Sequence, residues 1–384
     1  MIHRFILNET SFFGAGSRKE LPGAIARLGK TKALVVTDKG LLQFGVAKMV
    51  TDVLEEAGIP YDIFSDLKPN PTVSNVKAGL TAFAASGADI IVAIGGGSAI
   101  DTAKAIGSVT ANPEFSDIIS LEGCAPTTHR SIPIIALPTT AGTAAETTIN
   151  YVIIDEEKRK KMVCVDPNDI PAVAIIDAEL MYSLPADLTA STGMDALTHA
   201  IEGYTTGAAW ALSDMFEIEA IRMIACNLPL AVEQPKNPEG RDAMALAQYI
   251  AGMAFSNVGL GLVHGMAHPL GSLFDIAHGV ANAILLPSVM EFNLPACAAK
   301  YAKVAEAMGV DTTGMTVEEA ARAACDAVKA LSKRVGIPEH LSELGVGEKD
   351  IEELTAQALA DVCTPGNPRP ATAEEVAAIY RALL

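Results

Sequence analysis

The sequence lacks the features that mark membrane-spanning, secreted and nucleic-acid-binding proteins. It contains no uninterrupted apolar run of about 18 residues, which predicts no membrane-spanning helix. The N-terminal residues contain no long apolar segment with a small-residue cleavage site, so we expect no secretory signal. Basic residues are few, 28 against 46 acidic ones, and the formal net charge of −18 would repel the phosphates of nucleic acids.

The cysteines are also few and scattered. None of the six belongs to a CxxC pair, which favours a reduced, cytoplasmic protein over a disulfide framework. The cysteines are Cys124, Cys164, Cys226, Cys297, Cys325 and Cys363. Half of the 384 residues are apolar, so the chain can bury a large core and is long enough for two domains.

The pattern of apolar residues changes near residue 184. Before that point, short apolar runs alternate with helical patterns, which predicts a Rossmann-like parallel sheet covered by helices. The predicted strands lie at residues 33–37, 61–64, 90–94, 132–137, 151–154 and 172–176. After that point, Ala, Leu, Met and Glu recur at helical spacing. We therefore expect an α/β dinucleotide-binding domain at residues 1–184 and an all-α metal- and substrate-binding domain at residues 185–384.

A glycine-rich turn follows one of the predicted strands. Residues 95–98 read Gly-Gly-Gly-Ser, and glycines let the backbone approach a phosphate at the start of the next helix. Ser98 is predicted to be the N-cap of that helix or a phosphate donor, with Asp101 at the capping-box position. The order matches neither GxGxxG nor the P-loop, so a tight turn without a ligand is the alternative.

Two further features favour a dinucleotide at the same sheet edge. Asp38 closes a strand where a carboxylate can bind a ribose and repel a 2′-phosphate, which favours NAD over NADP. The alternative is that Asp38 is a helix N-cap. The segment Pro-Thr-Thr-Ala-Gly-Thr at residues 138–143 places hydroxyls after another strand, and ligands bind outside such strand ends.

A pattern that indicates a metal site lies in the second half. The chain has only seven histidines. Asp195 and His199 are four residues apart, which places both on one helix face, and His264 and His268 repeat the spacing. His278 follows shortly after. One carboxylate with several imidazoles suits Fe²⁺ or Zn²⁺, and the lack of cysteine argues against a structural zinc site. Spacing alone leaves open which four of the five bind.

These motifs, in this order, resemble those of the iron-dependent (group III) alcohol dehydrogenase family. The resemblance runs from an N-terminal strand expected at Arg4-Phe5 to the C-terminal helices. The segments that carry it are residues 95–98 with Asp101, 138–140, 193–202, 261–271 and 278–283. Two other segments, residues 148–153 and 361–369, resemble the lactaldehyde reductase branch of that family.

The resemblance implies a role for individual residues. The implied metal ligands are Asp195, His199, His264 and His278. The implied cofactor-binding residues are Asp38, Asn70, Gly96, Gly97, Ser98, Thr139, Thr140 and Lys161. The implied substrate-pocket residues are Asn150, Phe255 and Cys363. His268 is implied to lie beside the metal without binding it; there it would act as the catalytic proton shuttle or only pack.

The resemblance further implies a dehydroquinate-synthase-like fold, a homodimer, NAD, and Fe²⁺ with Zn²⁺ as an alternative. The activity would be hydride transfer between the nicotinamide and a small aldehyde such as lactaldehyde. The competing hypotheses are a zinc-dependent polyol dehydrogenase, a sugar-phosphate lyase on the same scaffold, and a non-catalytic metal- or nucleotide-binding module. A phosphorylated substrate is disfavoured because residues 186–240 contain only two basic residues, Arg222 and Lys236.

Overall fold

The computed structural model describes residues 2–384 and divides into two units, Met1–Ser183 and Leu184–Leu384. The division falls one residue before the boundary expected from the change in sequence texture.

The first unit is built on a six-stranded parallel sheet with the strand order β1-β9-β6-β4-β2-β3. Its apolar strands are buried on both faces, which confirms the predicted α/β architecture. The strands of the unit are β1 Thr10–Phe13, β2 Ala33–Val36, β3 Tyr61–Phe64, β4 Ile90–Gly95, β5 Gly123–Cys124, β6 Ile134–Pro138, β7 Asn150–Asp155, β8 Lys160–Val165 and β9 Val173–Ile176.

Helices supply the core on each face of this sheet. On one face α3 buries Val46, Val50 and Leu54 against the strands; on the other, Ile100 and Ala103 of α5 are buried. The helices of the unit are α1 Leu21–Arg27, α2 Lys39–Gln43, α3 Val46–Glu56, α4 Val73–Ser86 and α5 Gly97–Ala111.

The strand expected at Arg4-Phe5 does not form, since the first strand begins at Thr10. Another predicted strand does not join the parallel sheet. The run at residues 151–154 forms β7, which pairs antiparallel with β8 in a separate three-stranded sheet completed by β5. Only four residues separate β7 from β8, whereas a parallel crossover needs a dozen or more. The short connection therefore dictates a hairpin, which the apolar pattern alone did not indicate.

The second unit is helical throughout residues 184–384, as the sequence predicts. Helix α6 is its most buried element, since nearly every side chain from Thr189 onward is covered by neighbouring helices. The helices are α6 Ala186–Thr205, α7 Ala211–Glu233, α8 Pro238–Val258, α9 Leu262–Phe274, α10 His278–Ala307, α11 Val317–Arg334, α12 Ile351–Ala360 and α13 Ala373–Ala382.

By length and composition α10 could cross a bilayer, and so could the bent pair α8 and α9 if counted as one segment. Just over half of the most apolar window of α10, 56%, is buried inside the protein. The core helix of a soluble protein passes the same test. The buried side chains of α10 include the polar Asn282 as well as apolar ones.

Candidate metal centre and nucleotide turn

Three helices of the second unit bring four potential metal ligands together. Asp195 and His199 come from α6, His264 from α9, and His278 is the first residue of α10. One ligand atom from each side chain lies within 4.8 Å of the others. Asp195, His199 and His264 are buried, and the side chain of His278 is 23% exposed.

A glycine allows α10 to begin against α6. A Cβ on Gly279 would lie 2.3 Å from the carbonyl oxygen of Ser191 and 3.3 Å from the Cβ of Asp195. Only a residue without a side chain permits this approach. The close packing holds His278 Nε2 3.7 Å from Asp195 Oδ1.

The donor lone pairs converge, as a cation requires. The side-chain amide nitrogen of Asn282 lies 2.7 Å from Asp195 Oδ1, 3.1 Å from His264 Nε2 and 3.2 Å from His278 Nε2. A single N–H₂ group can contact all three only if their acceptor positions face one point. Two imidazoles and a carboxylate thus face one point, and a ring nitrogen of His199 lies within 4.8 Å of their ligand atoms. Such a set of four donors fits Fe²⁺ or Zn²⁺ and leaves the ion one unit of positive charge.

Glu202 fixes the orientation of one of these imidazoles. Its Oε2 lies 2.5 Å from His264 Nδ1, and its Oε1 accepts the backbone N–H of Val263 at 2.7 Å. A carboxylate accepts only, so the imidazole proton lies on Nδ1 and Nε2 keeps its lone pair for a metal. The same carboxylate satisfies a free N–H in the first turn of α9.

Asp361 makes the matching contact with His268, one turn further along α9. Asp361 Oδ2 lies 2.7 Å from His268 Nδ1, and its Oδ1 accepts the backbone N–H of Cys363 at 2.8 Å. Burial raises the pKa of Asp361, but the charge and hydrogen bond of His268, together with the hydrogen bonds from Cys363, hold that pKa below its usual range. The His268 ring stacks on His278 with centroids 5.4 Å apart, so it lies beside the four donors.

Phe255 packs on His199, one of the four potential ligands. Its ring stacks on the His199 imidazole with centroids 4.2 Å apart and an interplanar angle of 11°. Phe255 is itself buried in α8. It therefore supplies an apolar wall next to the donors, where the family resemblance implies a substrate pocket.

In the first unit, the glycine turn packs tightly against the hydroxyl-rich loop. A Cβ on Gly96 would lie 3.1 Å from Thr140 Oγ1, and one on Gly97 would lie 3.0 Å from Thr143 Cγ2. Gly95 has φ +156°, and a Cβ there would lie 2.6 Å from the Cβ of Ala99. The turn is thus a bare backbone cradle at the start of α5, and it fits a pyrophosphate.

Of the two roles predicted for Ser98, the N-cap of α5 was wrong, and the phosphate donor stays a prediction. The N-cap is Gly96 rather than Ser98, and it makes no side-chain cap bond. Ser98 Oγ instead accepts the backbone N–H of Asn70 at 3.2 Å, which brings that loop to the glycine turn. Asp101 forms no capping box, because its Oδ2 accepts the N–H of Val152 in β7.

Asp38 and Thr139 flank this turn from the neighbouring strands. They follow β2 and β6, which pair with β4 on either side, so their positions lie at the same sheet edge as Gly96. Asp38 caps α2, with Oδ1 accepting the N–H of Leu41 at 2.9 Å. Asp38 is therefore the helix N-cap that the alternative interpretation predicted. A ribose hydroxyl would bind to its other carboxylate oxygen, Oδ2.

Lys161 and Asn150 lie on the hairpin rather than at the sheet edge. Lys161 is buried in β8, close enough to lower the pKa of Asp101, which burial raises to about 6. Asn150 begins β7, and its backbone oxygen accepts a bond from the buried Lys104 ammonium. Their implied roles toward cofactor and substrate remain predictions.

Sequence reasoning missed three residues of the metal centre: Glu202, Asn282 and Asp361. A signal existed for Glu202, since Asp195, His199 and Glu202 are spaced four and three residues apart on one helix face. Asn282 likewise lies four residues after His278. Asp361 lies 93 residues from His268 and no spacing could have indicated it.

Family sequence models match most of the chain. The model described as iron-containing alcohol dehydrogenase matches residues 8–178, and the one described as the C-terminal part of the Fe-containing alcohol dehydrogenase family matches residues 189–384.

Individual relatives are similar to this chain over nearly their full lengths. The chain is 56% identical over 380 residues to lactaldehyde reductase of Escherichia coli K12, covering 99% of each chain. It is 42% identical over 377 residues to NAD-dependent methanol dehydrogenase of Bacillus methanolicus, covering 98% of each. A crystal structure of 1,3-propanediol oxidoreductase superposes with a TM-score of 0.97 at 43% identity, over 100% of both chains.

Proposed function

Since the chain belongs to the iron-containing alcohol dehydrogenase family, we propose that it interconverts lactaldehyde and 1,2-propanediol. At the coarser level the protein is an NAD-linked alcohol dehydrogenase and aldehyde reductase of the iron type. That family membership removes the zinc-dependent polyol dehydrogenase and the non-catalytic module as alternatives. The choice of lactaldehyde is supported by the 56% identity to the reductase of that name.

The observation that carries the proposal is the convergence of one carboxylate and three imidazoles. We assign Asp195, His199, His264 and His278 as the iron ligands, with Asn282 placed among them. Bound iron supplies a Lewis acid for the carbonyl oxygen, and bound NAD(H) accepts or supplies the hydride.

The protein's own side chains would move the proton that accompanies the hydride. His268 has its Nδ1 held by Asp361, so its Nε2 is the position that can accept a proton from an alcohol or return it. Asp361 stabilises the imidazolium that forms. Phe255 covers one side of His199 and excludes water there.

We assign the cofactor to the glycine turn, with Gly96, Gly97 and Ser98 at the phosphates and Thr139 and Thr140 beside them. Asn70, Asp38 and Lys161 complete the proposed set. The bare backbone at Gly96 and Gly97 supports it, because side chains there would fill the space next to Thr140 and Thr143.

Asp38→Ser separates the two roles of that residue. A serine hydroxyl still caps α2, whereas the carboxylate that would repel a 2′-phosphate is gone. We expect the thermal stability to be retained and the preference for NADH over NADPH to fall at least about tenfold. Steady-state kinetics with both cofactors measure this, and an unchanged preference would remove Asp38 from the ribose site.

The proposed function is tested with protein reconstituted anaerobically with Fe²⁺. We expect NADH oxidation with lactaldehyde and with propanal, and a higher kcat/KM for lactaldehyde than for 3-hydroxypropanal. His264→Ala should remain folded but lose iron and turnover, whereas His129→Ala, an exposed histidine of the first unit, should retain both. Higher kcat/KM for 3-hydroxypropanal would contradict the assigned substrate, and full activity in His264→Ala would contradict the assigned metal site.

Two further proposals concern the oligomeric state, which the family resemblance implies, and the compartment, which the scattered cysteines favour. We propose that the protein is a cytoplasmic homodimer. All six cysteines are free thiols, which supports a reducing compartment. Analytical ultracentrifugation checks the oligomeric state.

A further inference from the structure

A second group of metal-binding side chains lies next to the four donors. It consists of His268, Asp361 and Cys363, which offer an imidazole nitrogen, a carboxylate oxygen and a thiol sulfur. One such atom from each residue lies within 4.8 Å of the other two. The resemblance assigns a proton shuttle and a pocket residue to this place, and no second ion.

We propose that these three side chains form a second cation site, selective for Zn²⁺, whose occupation inhibits the enzyme. The inhibition rests on the proposed role of His268 as the proton shuttle. The binding of the ion does not depend on that role.

The donor chemistry separates this site from the first one. A thiolate with one imidazole and one carboxylate suits Zn²⁺, which accepts sulfur, nitrogen and oxygen in tetrahedral geometry. The four-donor set contains no sulfur. Bond lengths of about 2.0–2.3 Å place tetrahedral ligands roughly 3.3–3.8 Å apart, so shifts of about 1 Å would close the present group around an ion.

The local backbone already holds two of the donors in position. Cys363 donates its backbone N–H to Asp361 Oδ1, so both side chains project from one short turn after α12. Val362, which lies between them, is 50% exposed, so this turn reaches the protein surface although the Asp361 side chain is only 9% exposed. His268 faces this turn through its Nδ1.

The charges also favour a divalent ion here. Asp361 together with the Cys363 thiolate would neutralise Zn²⁺ fully, whereas the first site carries a single carboxylate. Burial, together with the nearby Asp361, raises the pKa of the Cys363 thiol well above its ordinary value. The thiol therefore gives up its proton on contact with the ion rather than before it.

Ion binding would change the proton on His268. The thiol proton leaves to solvent. Nδ1 also releases its proton to solvent and binds Zn²⁺ in place of its hydrogen bond, and Nε2 takes up one proton from solvent. The neutral imidazole then carries its one proton on Nε2, the position that must accept a proton from the alcohol. An occupied second site thus blocks the shuttle without displacing the iron.

Cobalt provides a readout that is independent of turnover. Co²⁺ bound to a thiolate gives a near-ultraviolet charge-transfer absorption, and the four-donor set has no thiolate to produce it. We expect the wild-type protein to bind two equivalents of Co²⁺ and the absorption to grow with the second. Cys363→Ser and Cys363→Ala should each bind one equivalent and show no such absorption. Cys226→Ser, which removes an exposed cysteine of α7, should behave as wild type.

Binding of a single equivalent by wild type, or an absorption that persists in both Cys363 variants, would overturn the site. Inhibition is measured on iron-loaded enzyme titrated with Zn²⁺, with metal analysis to establish that iron is retained. We expect each Cys363 variant to need at least about tenfold more Zn²⁺ than wild type for half inhibition of its own activity. A wild-type protein that binds the second ion and keeps its full rate would overturn the inhibition and remove His268 from proton transfer.

Discussion

At the scale of single residues, two histidines of one helix have different proposed roles, and each is oriented by its own carboxylate partner. His264 and His268 are four residues apart on α9, and each presents Nδ1 to a carboxylate. Glu202 comes from α6, whereas Asp361 comes from the turn after α12. The chemistry of the pair therefore depends on two residues that are neither among the four proposed iron ligands nor in the proposed substrate pocket.

Exchanging each carboxylate for its amide should separate the two tasks. In Glu202→Gln the amide has only one oxygen, so it cannot accept hydrogen bonds from both His264 Nδ1 and the backbone N–H of Val263. Because the proton on His264 Nδ1 is then held less well, we expect the affinity for Fe²⁺ or Co²⁺ to fall about 10- to 100-fold. Asp361→Asn should keep the first metal and lower kcat by about 10²-fold.

Chelator competition measures the affinities, and saturating metal isolates kcat. The two variants serve as controls for each other. Equal loss of metal affinity in both would show that Asp361 supports the metal rather than the proton shuttle.

At the scale of helices, the centre depends on how closely α10 approaches α6. Gly279→Ala places a methyl group 2.3 Å from the carbonyl oxygen of Ser191, so the start of α10 must move. We expect a loss of stability of about 1–3 kcal/mol and weaker metal binding, because His278 moves away from Asp195.

Gly207→Ala is the matched control. This glycine lies just after α6 and a Cβ there meets nothing within 4 Å. Thermal unfolding and metal titration should leave it close to wild type. Wild-type metal affinity in Gly279→Ala would show that the close approach is not needed.

A buried acid on α7 should make stability fall as the pH rises. Neither carboxyl oxygen of Glu217 has a hydrogen-bond partner among residues 2–384, and burial raises its pKa well above 4.5. Above pH 4.5 the unfolded chain releases this proton while the folded protein keeps it. The resulting loss of stability, about 1.4 kcal/mol per pH unit, continues up to the raised pKa.

Glu217→Gln removes this ionisation while keeping the shape. Relative to wild type, we expect it to gain stability from pH 5 to pH 8, as followed by denaturant unfolding. Glu219→Gln, two residues along on the surface, should not reproduce the gain. A pH dependence equal to that of wild type would show that Glu217 ionises normally.

At the scale of the whole chain, a metal ion should stabilise the second unit selectively. Its proposed ligands come from α6, α9 and α10, and an ion at a hundredfold excess over its Kd stabilises the folded state by about 2.7 kcal/mol. Hydrogen exchange should therefore slow in these helices when Co²⁺ is added. Helix α3 of the first unit is the internal control, and equal slowing there would contradict a local site.

The sequence predicted some features of the fold and of the candidate site and missed others. Most strands of the parallel sheet follow from apolar runs, and the pairs Asp195–His199 and His264–His268 follow from four-residue spacing, both of which are local signals. The choice of His278 rather than His268 as a ligand came only from the family resemblance. The hairpin at β7 and the Gly96 cap are local features that the apolar pattern did not specify, whereas the bond between Asp361 and His268 joins residues 93 positions apart. No periodicity encodes such contacts, so they became visible only in the folded chain.

The positions of two helix starts have an electrostatic consequence. His264 lies in the first turn of α9, and His278 opens α10, so the positive ends of two peptide-dipole arrays face the ligand cluster. That orientation disfavours a cation and favours an oxygen anion beside it. Iron at the proposed site would therefore be held less firmly than by the four side chains alone, and it would be a stronger electrophile. Enzyme prepared in chelating buffers should accordingly lose its metal while keeping its fold.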